Sequence, residues 1–146
     1  MYLYKNKNDL KGDKFMTGEF VKKTWGHEIW FANVDEENVG YCGKKIFVVH
    51  GKWSSKGAYH YHKIKDETFY ILDGYLHLDY VTSDGEHTFK ILGPGESFRI
   101  KPNIKHRFTS ETEYGCLFIE VSTTHSDDDS YRCTWHENVW LEVLNE

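Results

Sequence analysis

The stretch YHYHKIKDETFYILDG, residues 59–74, decides the fold of this chain. Its first half alternates tyrosine with histidine, so His60 and His62 leave the same face of a predicted strand, roughly 6.6 Å apart along it. Two imidazoles at that spacing can converge on one cation. A carboxylate follows at Glu67, and the residues after it predict a second strand that ends in an Asp-Gly turn. The stretch therefore predicts neighbouring β-strands that carry potential metal ligands.

The composition of the chain limits its architecture and its partners. A length of 146 residues suits one domain, and 39% apolar residues with 16% aromatics can form a core. The net charge is −5, and the 18 basic residues are scattered among 23 acidic ones, which argues against a nucleic-acid partner. The first fifteen residues lack a secretion signal, and no window has the apolar length of a membrane span. We therefore expect neither a nucleic-acid nor a membrane partner.

The cysteines indicate the cellular compartment. Cys42, Cys116 and Cys133 are odd in number and widely spaced. This distribution favours free or buried thiols over a disulfide framework or a zinc ribbon. A reducing, cytoplasmic location is the expectation that follows.

Short strand patterns separated by turns occupy most of the chain. Residues 1–18 are polar and predict an N-terminal arm, whereas residues 19–146 form the predicted domain. Within the domain, eight or more short strands recur about every ten residues, and helical periodicity is absent through the middle of the chain. The Asp84-Gly85 pair between two alternating runs predicts a hairpin. The pattern predicts a closed or sandwiched antiparallel barrel, which can hold one ligand in its mouth.

The tail beyond His125 has a different composition. Residues 126–130, SDDDS, predict a solvated acidic loop, because a calcium site would need further oxygen ligands at defined spacings. Residues 139–144, VWLEVL, are either a closing strand or a segment that completes a dimer, and the sequence does not choose between them. A homodimer is the expected assembly.

Two motifs resemble the signatures of the cupin superfamily. The pattern His-x-His-x4-Glu-x6-Gly at residues 60–74 is similar to the first signature, and His106, after a loop that begins at Gly93-Pro94-Gly95, is similar to the second. The resemblance implies an all-β fold, a single antiparallel double-sheet jelly-roll barrel with an N-terminal arm and a short C-terminal extension. It also implies one divalent transition metal ion (Fe, Mn, Ni, Zn or Co) with two of six positions open. The implied ligands are His60, His62, Glu67 and His106.

Two points bear on this metal hypothesis. The alternative is that His60 and His62 are ordinary polar positions on an exposed strand face. If their face lines a barrel, however, they must be paired or ligated, since an unpaired buried polar group costs about 2–7 kcal/mol. The second signature usually reads Pro-x-Gly-x-x-His, and Asn103 stands at the glycine position. Asparagine tolerates a left-handed backbone conformation, so Asn103 is expected to form the same turn.

Further features, spread over about residues 20–125, resemble the sugar-phosphate isomerase branch of the cupins, notably the type II mannose-6-phosphate isomerase domain. They are Trp25-Gly26-x-Glu28-x-Trp30, Lys44-x-Ile46-x-Val48, Ser54-Ser55, Glu67-Thr68-Phe69-Tyr70-Ile71-Leu72-x-Gly74, His106-Arg107-Phe108 and Glu120-Val121-Ser122-Thr123. The resemblance implies isomerisation of an open-chain sugar or sugar phosphate through a metal-stabilised enediolate. The alternatives are an iron-dependent dioxygenase with the same ligands, and a non-catalytic metal-binding or sugar-binding module.

Three residues outside the ligand set are candidates for contact with that substrate. Glu120 is the candidate catalytic base, because the apolar phase of strand 116–122 leaves it on the face that could line a pocket; a solvent-facing position is the alternative. His27 and Lys56 are the candidate substrate-binding residues. Trp25 and Trp30 are expected to pack in the core, since large aromatics dominate small cores. The remaining histidines, among them His125, are expected to have no role in the site.

Overall fold

The computed structural model describes residues 18–144, which form two six-stranded antiparallel sheets. The strands are β1 (Glu19–Lys23), β2 (Gly26–Glu36), β3 (Val39–Val48), β4 (Tyr59–Tyr61), β5 (Glu67–Asp73), β6 (Leu76–Val81), β7 (His87–Leu92), β8 (Ser97–Ile100), β9 (His106–Ser110), β10 (Cys116–Ser122), β11 (Tyr131–His136) and β12 (Val139–Val143). Within the described residues the helical element is one short 3-10 turn, Asp127–Asp129, while Ser54–Gly57 is a turn in which Ser55 and Lys56 have positive φ. The predicted N-terminal arm lies outside the described residues, apart from Gly18.

The connections between the sheets give the fold its class. The first sheet has the strand order β1-β2-β3-β10-β5-β8, and the second has the order β12-β11-β4-β9-β6-β7. From β3 to β11 the chain crosses to the other sheet at every connection except the β6–β7 hairpin. Such a path builds a double-sheet jelly roll. The predicted all-β jelly-roll barrel is therefore confirmed.

The core lies between the sheets and takes its residues from both. In the first sheet, Phe69 on β5 and Phe118 on β10 are buried with ring centroids 4.9 Å apart. In the second sheet, Phe108 on β9 meets Phe118 edge to face at 5.2 Å. Interlocked rings of this kind bury large apolar areas and favour one packing geometry. They form the floor beneath the region where the predicted metal ligands lie.

The turns follow the residues that favour them. Gly85 has a positive φ of 86°, and the β6–β7 hairpin forms around it, which confirms the prediction from Asp84-Gly85. Asn103 has a φ of 70°, the left-handed conformation expected of a residue in the glycine position of the second signature. The β11–β12 hairpin turns through Glu137 and Asn138, both with positive φ, as a type I′ turn requires.

The tail differs from its prediction in two respects. The sequence did not indicate β11, which pairs with β4 and extends the second sheet. The acidic segment is not wholly solvated, because Asp129 is buried and 7% exposed. Residues 139–143 form β12, an edge strand of the second sheet, and the dimer contact of this segment stays a prediction. Among the described residues, no helix has the length and apolar character needed to span a membrane.

Candidate metal centre

Three strands and one loop position the predicted ligands. His60 on β4 and His106 on β9 are directly opposite in the antiparallel pairing, so their side chains point to the same face. His62 follows β4 by one residue and keeps the same phase as His60. Glu67 begins β5 in the opposite sheet, so its side chain approaches the histidines from across the barrel interior. The fold thus brings residues from both sheets to one point.

The geometry of the cluster suits a single ion. One ligand nitrogen from each of His60, His62 and His106 lies within 4.8 Å of the other two. Oε2 of Glu67 is 3.3 Å from Nε2 of His62 and 3.5 Å from Nε2 of His106. Ligands that bind a cation at right angles from about 2.1 Å lie about 3 Å apart. The three histidines can therefore hold one metal ion, and the carboxylate of Glu67 lies at a neighbouring ligand position.

Hydrogen bonds on the far side of two rings set the direction of their lone pairs. Nδ1 of His62 is 2.8 Å from the Asp129 carbonyl oxygen, and Nδ1 of His106 is 2.9 Å from the Ile104 carbonyl oxygen. Because a carbonyl only accepts, each Nδ1 carries the proton and donates it. In a neutral ring, Nε2 then presents a lone pair towards Glu67. Such outer hydrogen bonds are the usual support of metal-binding histidines.

Unpaired buried atoms at this point fit a bound cation. Among the described residues, the buried side-chain atoms without a hydrogen-bond partner are Nδ1 of His60, Oε2 of Glu67 and Nε2 of His106. Lone pairs on Glu67 and His106 face each other with no proton between them, which is unfavourable in a buried place. A divalent ion would satisfy these acceptors together. The donor set, imidazole nitrogen with carboxylate oxygen, suits the first-row transition ions.

The protonation states also favour metal binding. Burial lowers the pKa of His106 to about 4 and lowers the pKa of His60 well below its ordinary value. Burial alone would raise the pKa of Glu67, but opposing charge, chiefly the Lys65 ammonium, holds that pKa well below the usual range. Neutral imidazoles and an ionised carboxylate are the forms that bind a metal ion.

Asp129 fixes the loop between two of the ligands. Its Oδ1 accepts hydrogen bonds from the backbone N–H groups of Lys63 (2.9 Å) and Ile64 (3.1 Å), and Oδ2 accepts one from Lys65 (2.9 Å). Its backbone carbonyl accepts the bond from His62 described above. One buried residue therefore holds both the ring of His62 and the loop that leads to Glu67.

The cluster opens into a cavity of about 380 Å³. The cavity has aromatic walls, which include Trp25, Trp30 and Phe108, and a strongly charged lining. The charged residues around the ligands are Lys23, Glu28, Lys44, Lys65, Glu120, Asp127 and Arg132. A concave, partly aromatic site with a few convergent polar groups is the usual form of a small-molecule site.

Glu120 is buried in this cavity and is 4% exposed. It shares the buried phase of β10 with Cys116 and Phe118, so it lies inside the barrel rather than on the solvent face, although its role stays a prediction. Oε2 of Glu120 accepts a hydrogen bond from Lys65 Nζ at 3.0 Å and from Ser122 Oγ at 3.1 Å. The same Lys65 Nζ is 3.8 Å from Oε1 of Glu67. One buried ammonium thus links the predicted ligand and the predicted base.

The two other predicted site residues do not line this cavity. His27 points away from it, since its ring stacks between Phe20 (4.9 Å) and Phe47 (5.6 Å). The strand alternation that brings Glu28 and Trp30 into the cavity turns His27 to the opposite face of β2, so its predicted contact with substrate lacks geometric support. Lys56 lines an adjacent cavity instead.

Sequence reasoning gave no site role to several polar residues of the cavity. Among them are Lys44, Lys65, His125 and Arg132. Lys44 Nζ and Lys65 Nζ lie 3.4 Å and 3.2 Å from Nδ1 of His125. A usable pattern existed for Lys44, which falls in the buried phase of β3 with Cys42, Ile46 and Val48. No pattern indicated the other three, because Lys65 and His125 lie in loops and Arg132 lies on β11, a strand that the sequence did not indicate.

Comparison with known proteins identifies the family. The family described as Cupin domain matches residues 46–122, more than half of the chain, so this protein belongs to the cupin family. That range contains every ligand of the predicted site. These comparisons do not confirm the further resemblance to the sugar-phosphate isomerase branch, and no curated protein matches the chain.

Several solved structures share the fold. Oxalate decarboxylase from Bacillus subtilis at pH 4.6 is 17% identical, with a TM-score of 0.67 over 79% of this chain and 30% of that chain. The formate complex of Lactobacillus farciminis oxalate decarboxylase is 14% identical, with a TM-score of 0.62 over 77% of this chain and 33% of that one. KdgF from Halomonas sp. is 18% identical, with a TM-score of 0.58 over 75% of this chain and 91% of that one. The chain spans about a third of these oxalate decarboxylases, and identities this low show the fold alone.

Proposed function

We propose that this cupin is a metal-dependent isomerase of a small sugar or sugar phosphate. The observation that carries the proposal is the position of Glu120, whose carboxylate lines the same cavity as the histidine cluster. Its oxygen is held by Lys65 and Ser122 rather than by solvent. A positioned carboxylate beside a metal centre is suited to moving a proton at a carbon next to a carbonyl group. That proton transfer is the central step of aldose–ketose isomerisation.

The surroundings of Glu120 suit a base. Burial raises its pKa above the ordinary carboxyl value, and the nearby charge of Glu67 raises it further. A carboxyl group whose pKa approaches the working pH accepts and returns a proton more readily than an ordinary one. Lys65 stays charged, because the attraction of Glu120 and Glu67 outweighs the effect of burial and raises its pKa. Its ammonium therefore fixes the carboxylate in one orientation.

The ligand residues and the walls would hold the substrate. His60, His62, His106 and Glu67 would bind a divalent ion, which when bound supplies a Lewis acid that polarises a carbonyl group. The cavity volume of about 380 Å³ suits a small molecule. Trp25 and Trp30 offer aromatic surface, and the Lys and Glu side chains offer hydrogen bonds to hydroxyl groups. These features support a carbohydrate-sized, hydroxyl-bearing substrate.

One experiment separates this proposal from its alternatives. Metal content is measured on protein purified without added metal, and the protein is then assayed for isomerisation of sugars and sugar phosphates with and without oxygen. Isomerisation with a redox-inert ion under anaerobic conditions supports the proposal. Oxygen consumption would instead indicate the dioxygenase, and metal binding with neither activity would indicate a binding module. Oxalate is assayed as a further candidate substrate, since two of the similar structures are oxalate decarboxylases.

The assembly and the compartment belong to the same proposal. We expect a homodimer in the cytoplasm. The exposed apolar residues of the edge strand β12, which include Val139, Leu141 and Val143, support an interface there. The three cysteines are free and buried, which supports a reducing compartment. Light scattering of the purified protein measures the assembly directly.

A further inference from the structure

We infer that Arg132 and Lys23 bind an oxyanion of the substrate, so that the substrate is an anionic small molecule rather than a neutral sugar. The inference rests on the proposed function, since it places one end of the substrate at the histidine cluster. It adds the chemical class of the other end, a phosphate ester or a carboxylate. Both groups present the same paired oxygens to a guanidinium.

The sheet places Arg132 directly beside the metal cluster. In the second sheet, His60 on β4 pairs with His106 on β9, and on its other side it pairs with Arg132 on β11. Paired residues on antiparallel strands point to the same face, so these three side chains form one row across the barrel interior. One strand spacing, about 4.8 Å, separates the backbones of His60 and Arg132. A molecule of a few carbon atoms can therefore reach both the cluster and the guanidinium.

The position of Arg132 in the row is fixed by a neighbouring turn. Its Nε donates a hydrogen bond to Ser55 Oγ at 3.2 Å. Ser55 lies in the turn Ser54–Gly57 and also lines the cavity. A guanidinium held in this way is preorganised for binding, and its planar fork matches two oxygens of a phosphate or carboxylate.

A second cavity adjoins the first one at Arg132. It has a volume of about 600 Å³ and shares Lys23, Trp25, Ser55 and Arg132 with the cavity at the cluster. Its lining contains four basic residues, and none of the described residues that line it is acidic. The basic residues are Lys22, Lys23, Lys56 and Arg132. The junction of the two cavities is therefore a strongly basic place next to the predicted reaction centre.

The charge balance of the first cavity points the same way. Four basic residues and four acidic residues line it. With its side chains in their ordinary ionised forms, the cavity is close to neutral, and a divalent ion at the histidines would leave it with two positive charges. A concave site with a net positive charge favours an anionic ligand over a neutral one. An oxyanion at the junction would balance that charge.

The test uses inorganic phosphate and acetate as separate probes, titrated calorimetrically into the protein as purified. We expect saturable binding of at least one probe. Arg132→Gln and Lys23→Gln should each weaken the affinity for that probe at least tenfold. The control is Lys90→Gln, which removes an exposed lysine of β7 outside both cavities and should change the affinity less than twofold. Metal content is measured on every variant, so that weaker binding is not due to metal loss. Phosphate as the tighter probe indicates a phosphate ester, and acetate indicates a carboxylate.

Two results would overturn the inference: binding of neither probe by the wild-type protein, or binding that both cavity variants retain at full strength. If Arg132→Gln does not fold, Lys23→Gln carries the test, because Lys23 ends an edge strand of the other sheet. Isomerisation of a neutral sugar without oxyanion binding would remove this inference and leave the proposed function intact. Oxyanion binding without isomerisation would contradict the proposed function and leave the oxyanion site intact.

Discussion

His60 and His106 lie opposite each other on β4 and β9, and their ring centroids are 4.0 Å apart. This pairing ties the candidate metal centre to the strand register. A slip of one residue would turn either ring to the outer face of the sheet. The same pairing also explains the separation of the two motifs in the sequence, because β9 lies next to β4 in the sheet although more than forty residues separate them.

Removal of a histidine from this pair should remove the metal. We expect His106→Ala and His60→Ala each to reduce the metal content of the purified protein at least tenfold, because a site with two remaining imidazoles binds transition ions weakly. Elemental analysis measures the metal, and circular dichroism checks the fold. His136→Ala is the control, since that side chain is 66% exposed at the end of β11. Full occupancy in both site variants would defeat the ligand assignment.

Removal of the metal should destabilise the fold. A ligand that binds the native state at 1,000 times its Kd adds about 4 kcal/mol to the free energy of unfolding. For a chain of this size that corresponds to a fall in Tm of about 10 °C on chelation. Differential scanning calorimetry with and without a chelator measures the shift. In His106→Ala the chelator should have no effect, and an equal shift in that variant would mean that the chelator acts elsewhere.

Loss of the Asp129 carboxylate should destabilise the protein even without metal. Asp129→Ala leaves the backbone N–H groups of Lys63, Ile64 and Lys65 without their acceptor. Because bonds to a charged acceptor are strong and unsatisfied donors are costly, we expect a loss of about 3 kcal/mol in the free energy of unfolding. Urea unfolding of metal-free protein measures it. Asp128→Ala, at an exposed neighbouring position, should cost less than about 0.5 kcal/mol; similar values for the two variants would contradict the role of Asp129.

Local patterns in the sequence predicted an antiparallel barrel and paired His60 with His62, and the resemblance to the cupin signatures added the jelly roll and the ligand His106. Period-two alternation placed His60 with His62, and it grouped Glu120 with Cys116 and Phe118 without deciding which face of β10 lies inside. The turns at Gly85 and Asn103 were predictable because few residue types adopt a positive φ. These features depend on neighbours in the chain, which a sequence shows directly.

The missed features depend on residues that are distant in the chain. Asp129 was predicted to be solvated because its neighbours are acidic. Its carboxylate oxygens instead accept hydrogen bonds from the backbone of a loop that lies more than sixty residues away in the sequence. Arg132 lies on β11, whose mixed polar and aromatic sequence lacks a clear strand pattern. His27 does not line the cavity at the histidine cluster, and the sequence alone did not give the phase of β2 that would have shown this.

The buried thiols should be inert in the native protein. Burial raises the pKa of Cys116 to about 12 and that of Cys133 to about 11, and both residues are 0% exposed. With a pKa of about 12, about one thiol in ten thousand is ionised at pH 8, against about a quarter for an ordinary cysteine. We expect no alkylation of these two residues by iodoacetamide at pH 8 in the native state, and full alkylation in urea. Peptide mass spectrometry measures both, and rapid native labelling of Cys116 would contradict its burial.

Glu120→Gln should abolish isomerisation while leaving the metal in place. Glutamine keeps the shape of the side chain but cannot take up a proton, and general base catalysis contributes about 10²–10⁴-fold to rates. We therefore expect kcat to fall at least a hundredfold with metal content unchanged. Glu113→Gln, an exposed acid in the turn before β10, is the matched control and should keep full activity. Because Lys65 also contacts Glu67, the variant could loosen the ligand, and the metal measurement separates that effect from loss of the base. A metal-loaded Glu120→Gln protein with wild-type kcat would show that another group moves the proton.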